Sequence, residues 1–237
     1  MNEMFTKSSK VGDIVVEFPM ASQLFKEHKI DFCCGGNRPI GEVLAEKQMD
    51  ADRFLNQLNA LYKEKKVNTV QEIDWSKASY KELMDYVVQT HHAYLHRVLP
   101  ELSALVAKIY RVHGKNHPEL ERVHRLFNKL KGELEHHLIE EEVNIFPKIE
   151  AYEKDRTTNS LDELLKDIET LENEHDASGD ILKELRSITR DYFIPSDACR
   201  TYSLTYRQLE ELESDLFQHI HLENNILFPR IAQEKTA

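Results

Sequence analysis

Two stretches of the chain repeat one frame, and that duplication limits the possible folds more than any other feature. The first runs His137, Glu141, Phe146, Pro147, Lys148, Ile149, and the second His219, Glu223, Phe228, Pro229, Arg230, Ile231. In both, Glu stands four residues after His, Phe nine, Pro ten, a base eleven and Ile twelve. The copies are 82 residues apart (219 − 137), and an earlier His precedes each, His91 or His92 before the first and His175 before the second. A unit of two helices used twice is the simplest reading. Packed about a pseudo-twofold axis, two such hairpins bring four His and two Glu to a common midplane.

The rest of the chain agrees with long helices. Only seven Gly and seven Pro accompany 31% charged residues, which disfavours a strand-and-turn architecture. The first long helix is expected to open at Ser79, with Glu82 three residues on as a reciprocal cap. Leu83, Val87, Val88, Leu95, Leu99, Leu102 and Val106 keep helical spacing along it, and Pro100 should bend it. The second opens at Pro118 and passes Phe146-Pro147. The third is capped by Ser160 with Glu163 and stops at Pro195. The fourth runs from near Ser196 to the Phe228-Pro229 region. Four amphipathic helices with short connections predict an all-α, up-down four-helix bundle, with an open array of helical hairpins as the alternative. Ahead of it, helical patches at 21–28 and 42–65 flank the loop Asp31-Phe32-Cys33-Cys34-Gly35-Gly36, and 63–75 reads as a linker. The expected division is a small helical domain over 1–65, a linker over 66–78 and the bundle over 79–237.

Charge and composition exclude some partners. A net charge of −11 argues against nucleic acid, which needs clustered Lys and Arg. No apolar run approaches the roughly 18–20 residues that span a bilayer, so no membrane partner is expected. The start shows no basic segment followed by an apolar one. Three Cys, two of them adjacent, make no disulfide framework, and a reducing cytoplasm is the expected location.

Twelve His in such a chain call for a chemical reason. Residues four apart on a helix share a face, about 6 Å apart along the axis, so one His and one Glu can reach the same small metal cluster. One such pair is ordinarily a surface ion pair; two in the same extended frame, each preceded by a helix bearing His, argue for metal. Imidazole suits iron and similar ions, and a carboxylate can bridge two of them. Four His, two bridging carboxylates and one oxo or hydroxo bridge give ten bonds, which leaves each of two ions five-coordinate with one position free. The repeat selects His137 over His136, because only His137 stands ten residues before its Pro. It discards His221, which has Asn225 four residues on. Periodicity does not choose between His91 and His92. Glu133 and Asp215 each lie four residues before a proposed ligand His and read either as outer carboxylates that orient the ligands or as solvated positions. Cys33 and Cys34, beside two Gly and a helix start, could be thiols of lowered pKa or small packing residues. Cys199 reads as structural.

With this arrangement in hand, the sequence resembles the iron–sulfur cluster repair di-iron proteins, the Repair of Iron Centres family, whose bundle is hemerythrin-like. Ile30 through Gly36 resembles that family's short leading domain. Leu99-Pro100-Glu101-Leu102, Glu174-His175-Asp176 and His219 through Pro229 resemble its bundle motifs. The resemblance places the first ligand at His92. It implies two non-haem iron ions with an oxo or hydroxo bridge, held by His92, His137, Glu141, His175, His219 and Glu223. No catalytic residue beyond the metal centre is assigned. It further implies repair of iron–sulfur proteins damaged by oxidative or nitrosative stress, and a homodimer. Iron donation and nitric oxide reduction are both chemically sensible, and donation would need an exit lined by carboxylates such as Glu133 and Glu174. The competing readings are a sensor or store that binds O2 or NO, and a metal-free interaction bundle.

Overall fold

The structure, a computed structural model, describes residues 4–67 and 73–236. It is all-α: among the described residues the only β pairing is an isolated bridge between Lys10 and Pro39. The chain packs as two compact units, Met1–Ser79 with Phe217–Ala237, and Tyr80–Leu216.

The first unit opens with four helices, α1 (Val11–Glu17), α2 (Ala21–Glu27), α3 (Ile40–Glu46) and α4 (Ala51–Val67). Their apolar faces share one core, in which Val11, Ile14, Phe25, Ile30, Phe32, Ile40, Leu44 and Leu58 are wholly buried. Asn59 fastens the leading strand of chain to α4, accepting from Phe5 N (3.0 Å) and donating to Phe5 O (2.9 Å). The helix expected over 42–65 is two helices. Gln48 adopts a left-handed conformation (φ 55°), and Met49 N turns back to Leu44 O, ending α3. The expected linker is helical as far as Val67, and 68–72 lie outside the described residues. The same unit holds the end of the chain, from Phe217 on, and Phe217 packs against its core.

The second unit is the bundle. Its first helix is α5 (Tyr80–Val87) continued by a π turn (Val88–His92) and α6 (Ala93–His113); Pro100 lies inside α6. Next come α7 (Glu119–Glu140), a π turn (Glu141–Ile145) and α8 (Phe146–Asp155), then an unbroken α9 (Thr158–Ile188). The last, α10 (Arg200–Leu222), belongs to this unit as far as Leu216; its end, a third π turn (Glu223–Leu227) and α11 (Phe228–Gln233) belong to the first. Helix α7 packs on α6 and on α9. Arg186 of α9 is hydrogen-bonded to Glu213 of α10, and Asp215 of α10 meets His91 of the first helix at 3.0 Å. The four helices therefore close on themselves, which excludes the open array. Leu83, Val87, Leu95, Leu102, Val106, Val123, Phe127, Leu130 and Leu138 fill the interior with no exposure.

Both ends of α9 differ from expectation. The cap of α9 is Thr157, whose hydroxyl accepts from Ser160 N at 3.4 Å, so the helix begins ahead of Ser160. At its other end α9 stops at Ile188, well before Pro195, because Arg190, Asp191 and Tyr192 turn left-handed (φ 53°, 59°, 54°).

Candidate metal centre

The three π turns fall on the predicted ligands: one ends at His92, one begins at Glu141, one begins at Glu223. Each is closed by a bond reaching five residues back: Ala93 N to Val88 O, Phe146 N to Glu141 O, Phe228 N to Glu223 O. In both repeats the donor is the Phe of the Phe-Pro pair and the acceptor is the ligand Glu. The next residue, Pro147 or Pro229, has no N–H to offer and clashes with an α-helical turn behind it, which the wider turn relieves. The spacing of Glu, Phe and Pro in the repeat is thus the spacing of a widened turn.

Within the second unit, four predicted ligands meet. His92, His137, Glu141 and His175 are all buried, His92 and Glu141 completely. His137, Glu141 and His175 each bring a ligand atom within 4.8 Å of the other two. Glu141 extends one oxygen to each side: Oε1 lies 3.2 Å from His137 Nε2 and Oε2 3.2 Å from His92 Nε2. His175 Nε2 is 3.0 Å from His137 Nε2. An ion held by bonds of about 2.1 Å sets neighbouring ligand atoms about 3.0 Å apart at right angles, and these separations fit that spacing. The far nitrogens support the same reading. His92 Nδ1 meets Glu142 Oε1 at 2.8 Å and His137 Nδ1 meets Glu174 Oε2 at 2.7 Å. A carboxylate at Nδ1 holds the proton there and leaves the Nε2 lone pair for a metal. The bond from His137 also draws the Glu174 carboxyl below its ordinary pKa. Phe146 stacks on His92 with ring centroids 5.9 Å apart, fixing that imidazole from the side.

The first unit carries the second copy. His219 Nε2 and Glu223 Oε2 are 3.3 Å apart, both buried, repeating the His137–Glu141 edge. His221 is also buried, but its ring packs on Phe32 (5.7 Å), and burial lowers its pKa to about 4, against a hydrogen bond with the Phe32 backbone.

Other predicted positions sort differently. His91, also buried, serves Asp215 and the ring of Tyr86. Asp215 therefore orients His91. Glu133 is an exposed partner of Lys129 at 3.6 Å, and His136 is exposed. Glu174 is the outer carboxylate of His137. Glu142, the matching support for His92, escapes the repeat because the second copy has Asn224 there.

The thiols fall in different settings. Burial pushes Cys33 well above the ordinary thiol range, with Cys34 and Asp31 adding to the rise. Cys199 is exposed, and backbone N–H groups of α10's first turn together with His113 Nε2, 3.2 Å from Sγ, bring its pKa to about 7.

Comparison with known proteins adds two family matches: residues 7–62 fit a domain of unknown function (DUF542), and residues 83–231 fit the hemerythrin HHE cation-binding domain. The iron–sulfur cluster repair protein ScdA of Staphylococcus haemolyticus is 30% identical over 97% of this chain and its own full length. A probable iron–sulfur cluster repair protein of Haemophilus influenzae is 33% identical over 95% of this chain and 97% of its own. The iron–sulfur cluster repair protein YtfE of Escherichia coli O81 is 31% identical over 96% and 98%. A buried set of imidazoles and carboxylate at coordination spacing, inside a matched cation-binding domain of an otherwise co-extensive chain, leads to one conclusion: the chain belongs to the iron–sulfur cluster repair protein family and carries its hemerythrin-like bundle.

Proposed function

We propose that this protein holds two non-haem iron ions through His92, His137, Glu141, His175, His219 and Glu223, with Glu141 and Glu223 as bridges, and repairs damaged iron–sulfur clusters by donating iron. The observation that carries the reading is Glu141, wholly buried with one oxygen toward His137 and the other toward His92. A carboxylate so placed serves two ions at once. The duplication supports the remaining ligands: His219 and Glu223 repeat the edge, and one family match spans all six residues. When bound, the pair of ions supplies labile ferrous iron and free positions for small ligands such as NO or O2, so nitric oxide reduction is a companion activity.

The chain's own part is to hold and to release. Glu142 and Glu174 keep the Nδ1 protons of His92 and His137 and aim their Nε2 atoms inward. Both carboxylates are about a third exposed or more (34% and 40% of their side chains), so the outer end of each ligand chain meets solvent. Glu174, bonded to the proposed ligand His137, is the carboxylate assigned here to guide departing iron. The homodimer implied by the family likeness belongs to this reading and is checked by sedimentation.

The test mixes ferrous protein carrying labelled iron with an enzyme whose cluster has been damaged. Label should appear in the rebuilt cluster as activity returns. Full activity toward NO without transfer of label would overturn donation. Reversible binding of O2 or NO, with neither turnover nor iron loss, would establish a sensor or store instead.

A further inference from the structure

The loop Asp31-Phe32-Cys33-Cys34 shares no residue with the six proposed ligands, and its side chains converge. Cys33 Sγ is 3.6 Å from Cys34 Sγ and 3.3 Å from Asp31 Oδ1, and one ligand atom from each of the three residues lies within 4.8 Å of the others. A tetrahedral ion with metal–sulfur bonds of about 2.3 Å sets two sulfurs about 3.8 Å apart, and a sulfur and a carboxylate oxygen about 3.5 Å apart. Both separations match to within 0.2 Å. A disulfide would need the sulfurs at about 2.05 Å and is strained between adjacent residues. We propose that Asp31, Cys33 and Cys34 form a second metal site, taking one divalent ion of the borderline class that accepts thiolate, ferrous iron or zinc.

The loop is built to hold this shape without the ion. Asp31 Oδ1 accepts from Cys33 N (3.2 Å) and Gly35 N (3.0 Å), which folds the carboxylate back over the two thiols. From the end of the chain, Asn225 Nδ2 donates to Phe32 O (3.2 Å) and Cys33 O (3.1 Å). The contact is close enough that a Cβ on Gly12 or Gly36 would lie 2.2 Å from Asn225 Oδ1, and one on Gly35 would press on Asp31. The two Gly after the two Cys are therefore required by packing around the thiol pair. Cys33 is buried while Cys34 and Asp31 are half-exposed, so three ligands are fixed and the fourth position opens toward solvent. On binding, two metal–sulfur bonds and one metal–oxygen bond form, and both thiol protons leave to solvent. Thiolate and carboxylate together suit an ion between hard and soft, whereas the bundle offers only nitrogen and oxygen. None of its three ligands is among the six of the bundle, so it stands or falls separately from the iron-donation reading.

The experiment uses the full chain with thiols reduced and the bundle filled with iron, titrated anaerobically with cobalt(II). One equivalent should produce a thiolate-to-cobalt charge-transfer band. Cys34→Ser should abolish the band. Asp31→Asn, which keeps the oxygen that accepts from Cys33 N and Gly35 N but removes the charge, should weaken binding about tenfold or more. Bundle iron and helical content, measured in parallel, should stay at their starting values. No thiolate band in the parent protein would overturn the proposal, and so would an unchanged band and affinity in both variants.

Discussion

At the scale of single residues, the proposed centre rests on carboxylates outside the ligand set. Glu142 and Glu174 bond the outer nitrogens of His92 and His137, and supports of this kind set ligand orientation and basicity. Glu142→Gln and Glu174→Gln should therefore each weaken iron retention by roughly 10- to 100-fold, read as iron per chain after a chelator challenge. His136→Ala and Glu133→Gln, both changing exposed side chains, should retain iron like the parent. Exposure also separates the thiols. Cys199 forms its reactive thiolate as pH rises through about 7, so its alkylation rate should climb with a midpoint there. Cys33, buried with its pKa raised, should remain unmodified across that range. Peptide mapping after timed alkylation distinguishes the two.

At the scale of elements, the π turn marks each of the proposed ligand positions His92, Glu141 and Glu223. An α-helix puts His137 and Glu141 on one face, and the widened turn that follows resets the phase, so that Phe146 packs on His92 and Ile149 reaches the core. Phe146→Ala would leave a cavity beside a ligand at a site only 6% exposed. A loss of about 3 kcal/mol in unfolding free energy is expected, by denaturant titration, together with weaker iron retention. Helical content should be kept, because the five-residue bond from position 146 to Glu141 O uses only backbone.

At the scale of the whole molecule, the first and last segments of the chain make one compact unit. Asn225 ties the thiol loop to the turn that begins at Glu223, and Phe217 packs on the leader's core. A chain starting at residue 80 would expose these surfaces. Relative to the full chain it should melt roughly 5 °C lower or more, given two lost hydrogen bonds and one uncovered aromatic ring. Asn225→Ala should reproduce part of that shift in the intact chain and hasten proteolysis of residues 4–67. An unchanged melting temperature in both would show that the joint contributes nothing to stability.

Much of this was legible in the residue order, because duplication and helical phase are local properties. The frame of His, Glu, Phe and Pro predicts two equivalent hairpins, separates His137 from His136 and discards His221 without coordinates. Caps and breaks were less legible: Thr157 in place of Ser160, the left-handed residue at Gln48 and the early end of α9 each depend on which nearby group wins one backbone hydrogen bond. The choice between His91 and His92, both on an inward stripe, was made by what lies opposite each, Asp215 or Glu141. The supporting roles of Glu142 and Glu174, the burial of Cys33 and the exposure of Cys199 likewise arise from neighbours distant in sequence. Sequence alone determined the helices and the shared spacing of His and Glu, through periodicity and duplication; tertiary packing decided which nitrogen faces which carboxylate, because burial and hydrogen-bond partners exist only once distant segments meet.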